Sequence, residues 1–201
     1  MKKKTIFLTI ICCLLVCIGY VYLCFKPIII HKPYVEYEFL YDSLYDYIDT
    51  TVIHDNTTYP DYDTTYIGIE TVHLYNPIDT IDFTNGENKI IIYTNMEEMY
   101  FPEGIKKWAL LKCRNNKTIE EVKKNFVFKW VKGQFAETTD FDSRIFFFKN
   151  NKLIFSGKFM IERNISLRFK NTGWTFATNY NELIRCFSEF RPIYLPIVKI
   201  D

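Results

Sequence analysis

The spacing of apolar and polar positions divides the chain into parts of different character. Residues 6–25 carry no charge. As a helix rising about 1.5 Å per residue they span roughly 30 Å, the thickness of a bilayer's hydrocarbon core. A secretory signal peptide usually has a shorter apolar region of about 7–15 residues, followed by a small-x-small cleavage site. The nearest such site here is Cys17-Ile18-Gly19, and cleavage there would leave Tyr20 to Phe25 as an apolar new N-terminus. The pattern therefore reads as a retained anchor or uncleaved signal sequence over residues 1–26. The alternatives are a secreted protein after cleavage and a lipid-anchored one. The bulky Val16 before Cys17 opposes the lipid anchor.

Beyond the anchor, Pro27 and Pro33 bracket an extended link over residues 27–35, and residues 36–201 suit one domain. Tyr37, Leu40, Tyr41, Leu44, Tyr47 and Ile48 recur at helical spacing, which predicts an amphipathic helix over 36–49. Residues 50–65 are polar and read as a loop, and 66–75 as a strand containing His73. Strand-like runs at 78–84 and 87–94 flank Asn85-Gly86, which predicts a hairpin. Pro102 would open a helix through residue 113, and Thr118 with Glu121 forms a capping box for the next helix, to about residue 126.

A strand follows at 126–131. Then comes a meander over 144–149, 152–161, 165–170 and 174–178, with turns at Asn150-Asn151 and at residues 171–173. Asn179 with Glu182 opens a last helix, and 193–200 is extended, with Pro196 marking an edge. The expected class is α+β: an N-terminal transmembrane helix, then one domain with an antiparallel, hairpin-rich sheet of about six to eight strands and three or four helices.

Charge sharpens this picture. Lys2, Lys3 and Lys4 precede the apolar run, Lys26 and Lys32 follow it, and no further basic residue occurs before Lys89. The excess of positive charge before the run places the N-terminus in the cytoplasm and the domain outside it, as a single-pass membrane protein. Residues 33–88 hold 12 acidic and no basic residues, whereas 89–201 hold 20 basic against 12 acidic, so the net charge of +1 conceals two oppositely charged regions. The acidic region lies next to the anchor, which predicts that anionic headgroups hold the domain off the membrane surface. The basic residues are dispersed along the sequence, and no nucleic-acid partner is expected.

Candidate chemistry is sparse. Cys12, Cys13, Cys17 and Cys24 fall in the anchor, which leaves Cys113 and Cys186 as the pair available for a disulfide in an oxidising compartment. Closing that loop would contribute about 4–5 kcal/mol in the chain-entropy account; two buried free thiols are the equal alternative. Asp61-Tyr62-Asp63-Thr64-Thr65 resembles the nucleophile motif of haloacid-dehalogenase-type phosphatases. Those enzymes need it at the end of a buried apolar strand, and the residues before it here, 55–59, are polar. Asp61 and Asp63 are kept as candidates for a weakly held cation.

The three histidines, His31, His54 and His73, lack the spacing of a metal site, and no serine sits in GxSxG or SxxK. No cofactor is expected. Tyrosines crowd the acidic region, and tyrosine favours interfaces because it joins apolar area to a hydroxyl. Tyr37, Tyr41, Asp42, Tyr45, Asp46 and Asp49 are thus the expected face for a basic protein partner. The favoured function is non-catalytic binding at the membrane, in the manner of an immunity or inhibitor protein. The alternative is a membrane-tethered hydrolase assembled from dispersed carboxylates such as Glu120, Glu121, Asp140 and Asp142.

Overall fold

A computed structural model describes residues 2–31, 37–40, 45–49, 52–54, 65–67, 70–95, 101–131 and 143–200. Among these residues there are three helices and fourteen strands. The apolar N-terminal run is helix α1 (Lys2–Phe25), long and apolar enough to cross a membrane, as an anchor or a signal sequence would. The remainder is α+β with a mostly antiparallel sheet.

The strands, in chain order, are β1 (Ile28–His31), β2 (Tyr45–Asp49), β3 (Val52–His54), β4 (Thr65–Ile67), β5 (Glu70–Tyr75), β6 (Asn88–Tyr93) and β7 (Leu110–Cys113). Helix α2 (Asn116–Asn125) and β8 (Phe128–Val131) follow, then β9 (Arg144–Lys149), β10 (Lys152–Ile161), β11 (Ile165–Phe169) and β12 (Gly173–Ala177). Helix α3 (Tyr180–Ser188), β13 (Arg191–Pro192) and β14 (Ile197–Ile200) complete the order. Ten strands form one antiparallel sheet in the order β13-β7-β6-β9-β10-β11-β12-β8-β5-β2. β1 pairs with β14 in a separate parallel pair, and β3 with β4 in an antiparallel one.

The meander expected over residues 144–178 is present as β9 to β12. Its first turn works because Asn150 and Asn151 adopt φ of 50° and 61°, the left-handed pair that a tight two-residue hairpin needs. Alternation along β9 then sends Ile145 and Phe147 to one face and Phe146 and Phe148 to the other. Both faces are covered. The larger cluster takes Ile90, Ile92, Phe147, Phe155 and Phe159 from the sheet, and Ile119, Val122, Leu183 and Phe187 from α2 and α3. The smaller one packs Ile91, Leu110, Phe146 and Phe148 against Val198 and Ile200 of β14.

Four expectations need correction. Residues 45–49 form β2, antiparallel to β5, and 37–40 are not helical. The Phe39 N–H donates to Asn171 Oδ1 (2.7 Å), Asn171 Nδ2 donates to the Phe39 carbonyl (2.9 Å), and the Phe39 ring is buried against Phe169. Local helical spacing loses here to an aromatic side chain that finds its place in a distant core. No strand forms over 78–84. Asn76 Oδ1 accepts from the Ile78 N–H and Asp82 Oδ1 from the Thr84 N–H, so these side chains hold the backbone in turns. β6 pairs with β7 and β9 instead.

Residues 102–113 are not a helix either. Gly104 sits at φ 91°, which a continuing right-handed helix does not allow, and Leu110–Cys113 is β7. α2 also begins earlier than the capping box at Thr118 implies, since Asn115 Oδ1 accepts from the Lys117 N–H at its start.

Helix α1 runs into the domain without slack. The Lys26 N–H still donates to the Tyr22 carbonyl (3.0 Å), Cys24 and Pro27 are buried, and β1 begins at Ile28. Trp108 closes the junction. Its ring lies 4.6 Å from that of Phe25 and 4.8 Å from that of Tyr194, and its Nε1–H donates to the Ile193 carbonyl (2.9 Å). Residues 28–31 of the expected link are thus extended, as strand β1, paired with Ile197–Ile200.

Candidate functional site

The end of the sheet remote from Trp108 gathers positive charge. In the β6–β7 ladder Ile91 is opposite Lys112, and in the β7–β13 ladder Lys112 is opposite Arg191. Paired residues share a face, as do residues two apart along a strand. Lys89, Lys112, Arg114 and Arg191 therefore project on one face from three adjacent strands and the turn after β7. Like charges set opposite each other across a ladder destabilise it, so their grouping asks for a neutralising partner.

Lys89 is the most constrained of the four. Its Nζ lies 4.2 Å from the centroid of the Phe148 ring, a cation–π contact set up by the Lys89–Phe148 pairing in the β6–β9 ladder. Burial lowers its pKa from the ordinary value, as do the charges of Arg114 and Lys112, while Glu87 acts in the opposite sense.

Two hollows that share Arg114 flank this face. One, of about 420 Å³, is lined by residues that include Asn88, Lys89, Arg114 and Asn116. The other, of about 710 Å³, includes Lys112, Arg114, Glu189 and Arg191. Asn116 is the first residue of α2, whose dipole adds partial positive charge at that point. Of the two carboxylates on the rims, Glu87 and Glu189, the second accepts a hydrogen bond from Thr118. Asn88 Nδ2 donates to the Phe83 carbonyl, whereas its Oδ1 is buried with no protein partner. The chemistry offered is recognition of an anionic, hydrogen-bonding surface.

The residues singled out from the sequence are placed as follows. Tyr37 is half-buried and packs on the larger cluster, its ring stacked on Phe155 at 4.7 Å, and burial raises its pKa. Tyr45, Asp46 and Asp49 lie on β2, an edge strand of the large sheet. Tyr41, Asp42, Asp61, Asp63, Asp140 and Asp142 lie outside the described residues. Cys113 and Cys186 are both buried in the larger cluster as free thiols, and burial raises the pKa of each. His73 is half-buried beside Trp130, with ring centroids 5.6 Å apart. Among the described residues no three His, Cys, Asp or Glu side chains are grouped so as to share a metal ion.

The cationic face was not visible in the sequence because its four members are separated by up to about a hundred positions. The signal available was the excess of basic residues after position 89. Pairing β7 with β6 rather than folding it into a helix is what turns that excess into a surface. The chain matches no protein-family model, no curated protein and no solved structure, so only its own geometry bears on its function.

Proposed function

We propose that the chain is a membrane-anchored binding protein whose N-terminus is cytoplasmic and whose domain stands outside the cytoplasm. There it recognises an acidic protein surface through Lys89, Lys112, Arg114 and Arg191. The orientation rests on Lys2, Lys3 and Lys4 ahead of the apolar helix. The recognition rests on one observation: cations from three adjacent strands share a face, and one of them is already partly desolvated over Phe148. That arrangement lowers the cost of stripping water from the site when a partner arrives. An immunity- or inhibitor-like role, in which the partner is held inactive at the membrane, is one form of this function.

The test is a crosslinking pull-down from native membranes with the full chain and with a Lys112→Glu/Arg114→Glu variant. Capture of the same partner should fall severalfold in the variant, and capture by the parent should weaken as salt screens the charges. Equal capture by both chains, or capture indifferent to salt, would overturn the proposal. The second reading is a basic partner on the acidic region, favoured by the position of Asp46 and Asp49 on the edge strand β2. Reversing the charge of Asp42, Asp46 and Asp49 should then abolish capture while the Lys112/Arg114 variant retains it.

A further inference from the structure

A second apolar surface begins where the anchor ends. In the parallel β1–β14 pair, Ile28 is opposite Ile197 and Ile29 opposite Val198. Ile29 and Val198 turn inward to the smaller cluster, which leaves Ile28, Ile30 and Ile197 on the outer side, with the exposed Lys199 opposite Ile30 at its edge. These three are 49%, 51% and 53% exposed, and Tyr194 and Leu195, just before β14, are 59% and 47% exposed. Scattered exposed apolar residues are ordinary, but a contiguous group of five beside an exposed apolar helix is not.

The helix fixes the depth of this surface. The Tyr20 hydroxyl donates to the Tyr194 carbonyl (3.1 Å), and Tyr20 lies five residues before the helix end, about 7.5 Å along the axis. If α1 spans the bilayer, Tyr194 stands level with the last turns of the span. Tyr20, Tyr22, Trp108 and Tyr194 then gather at one depth, and such rings favour the boundary between acyl chains and headgroups.

We infer that the 194–195 loop and the outer face of β1–β14 form a lipid-contacting surface, seated in the headgroup boundary of the leaflet from which α1 emerges. The occupant is phospholipid. The surface is continuous with the apolar helix, and the Tyr20–Tyr194 hydrogen bond ties the loop to that helix. This is the opposite of the standing-off that the acidic region suggests, because the elements next to the helix end are apolar ones from the two ends of the chain. The inference depends on the anchored reading of α1 and adds a second, non-spanning contact to it.

The test reconstitutes the full chain in vesicles of phosphatidylcholine and phosphatidylglycerol with a photoreactive side chain at one of four positions. These are Val16 in the helix, Leu195, Ile197, and Lys152 as an exposed control at the start of β10. Lipid adducts should form at Leu195 and Ile197 in severalfold excess over Lys152, and at Val16 as well. Adducts at Val16 but not at Leu195 or Ile197 would overturn the surface and leave the anchor intact. A lack of adducts at Val16 would overturn the anchor itself. Adducts at Leu195 to protein rather than lipid, whether a second copy or a partner, would also overturn the proposal. All four positions except Val16 lie outside α1 and all four are exposed, so the substitutions leave both cores unaltered.

Discussion

The two faces of the ten-stranded sheet are built from the same strands and do different things. One is paved with phenylalanines and closed by α2 and α3. Phe126, Phe147, Phe155 and Phe159 meet there with ring centroids 5.3 to 6.2 Å apart, many of them edge to face. The other is a thinner layer, in which Ile91, Leu110, Phe146 and Phe148 of the sheet pack under Val198 and Ile200 of β14, and it carries the cationic face at one end. The difference teaches that stability and surface chemistry can be separated by a single peptide step. Phe147 belongs to the first side and its neighbours Phe146 and Phe148 to the second.

The largest effect should come from Phe147→Ala. Fully buried among Phe83, Phe126 and Phe155, it should cost about 3–5 kcal/mol, read from the denaturant midpoint of the detergent-solubilised chain. Phe148→Ala should cost less, about 2–3 kcal/mol, because its ring is enclosed by a smaller cluster and by the Lys89 side chain. Equal losses would erase the distinction between the faces.

Gly157→Ala tests how tightly the larger face is closed. A Cβ there would stand 2.8 Å from Leu167 Cδ1, and Leu167 is itself 1% exposed, so a loss of about 1–2 kcal/mol is expected. A neutral or stabilising result would show slack in that core.

The smallest effect concerns the polar end. Hydrogen bonds from Thr84, with help from Lys149, lower the Asp82 pKa to about 2. A carboxylate with a depressed folded-state pKa contributes stability above its unfolded value, near 3.8, and that contribution is lost as pH falls through about 2. Asp82→Asn should therefore remove a small stabilisation at neutral pH, leave stability below about pH 2 unchanged, and so flatten the acid limb of the stability profile between those values. A variant that unfolds at neutral pH would mean that Asp82 supports the sheet itself rather than a surface turn.

Much of the second half of the fold is legible in the sequence. Asn150-Asn151 needs two left-handed residues and Asn tolerates them, Gly173 does the same at φ 74°, and Asn179 stands at the start of α3, although its side chain does not make the capping hydrogen bond expected of it. Those signals are local, so local reasoning reaches them. Residues 108–113 are a short apolar run that suits helix or strand equally, and only the partner strand β6, some twenty positions away, decides. Phe39 is misread for the same reason, since its place is set by Asn171. The candidate site shared this fate. Total charge was visible, but its concentration on one face depends on three pairings between distant segments.

The junction at Trp108 has a mechanical consequence. A helix joined to its domain by a loose tether can tilt while the domain stays upright. Here the helical hydrogen bonding of α1 runs through Lys26, and Pro27 is buried before β1 joins the domain, so no free joint lies between them. If α1 spans a membrane, a rotation of the helix, such as the tilt a thinner bilayer imposes on an over-long span, turns the domain through the same angle. Lys89 and Arg114, at the end of β6 and β7 away from Trp108, are carried with it. Membrane thickness would thus set the distance at which the cationic face is presented.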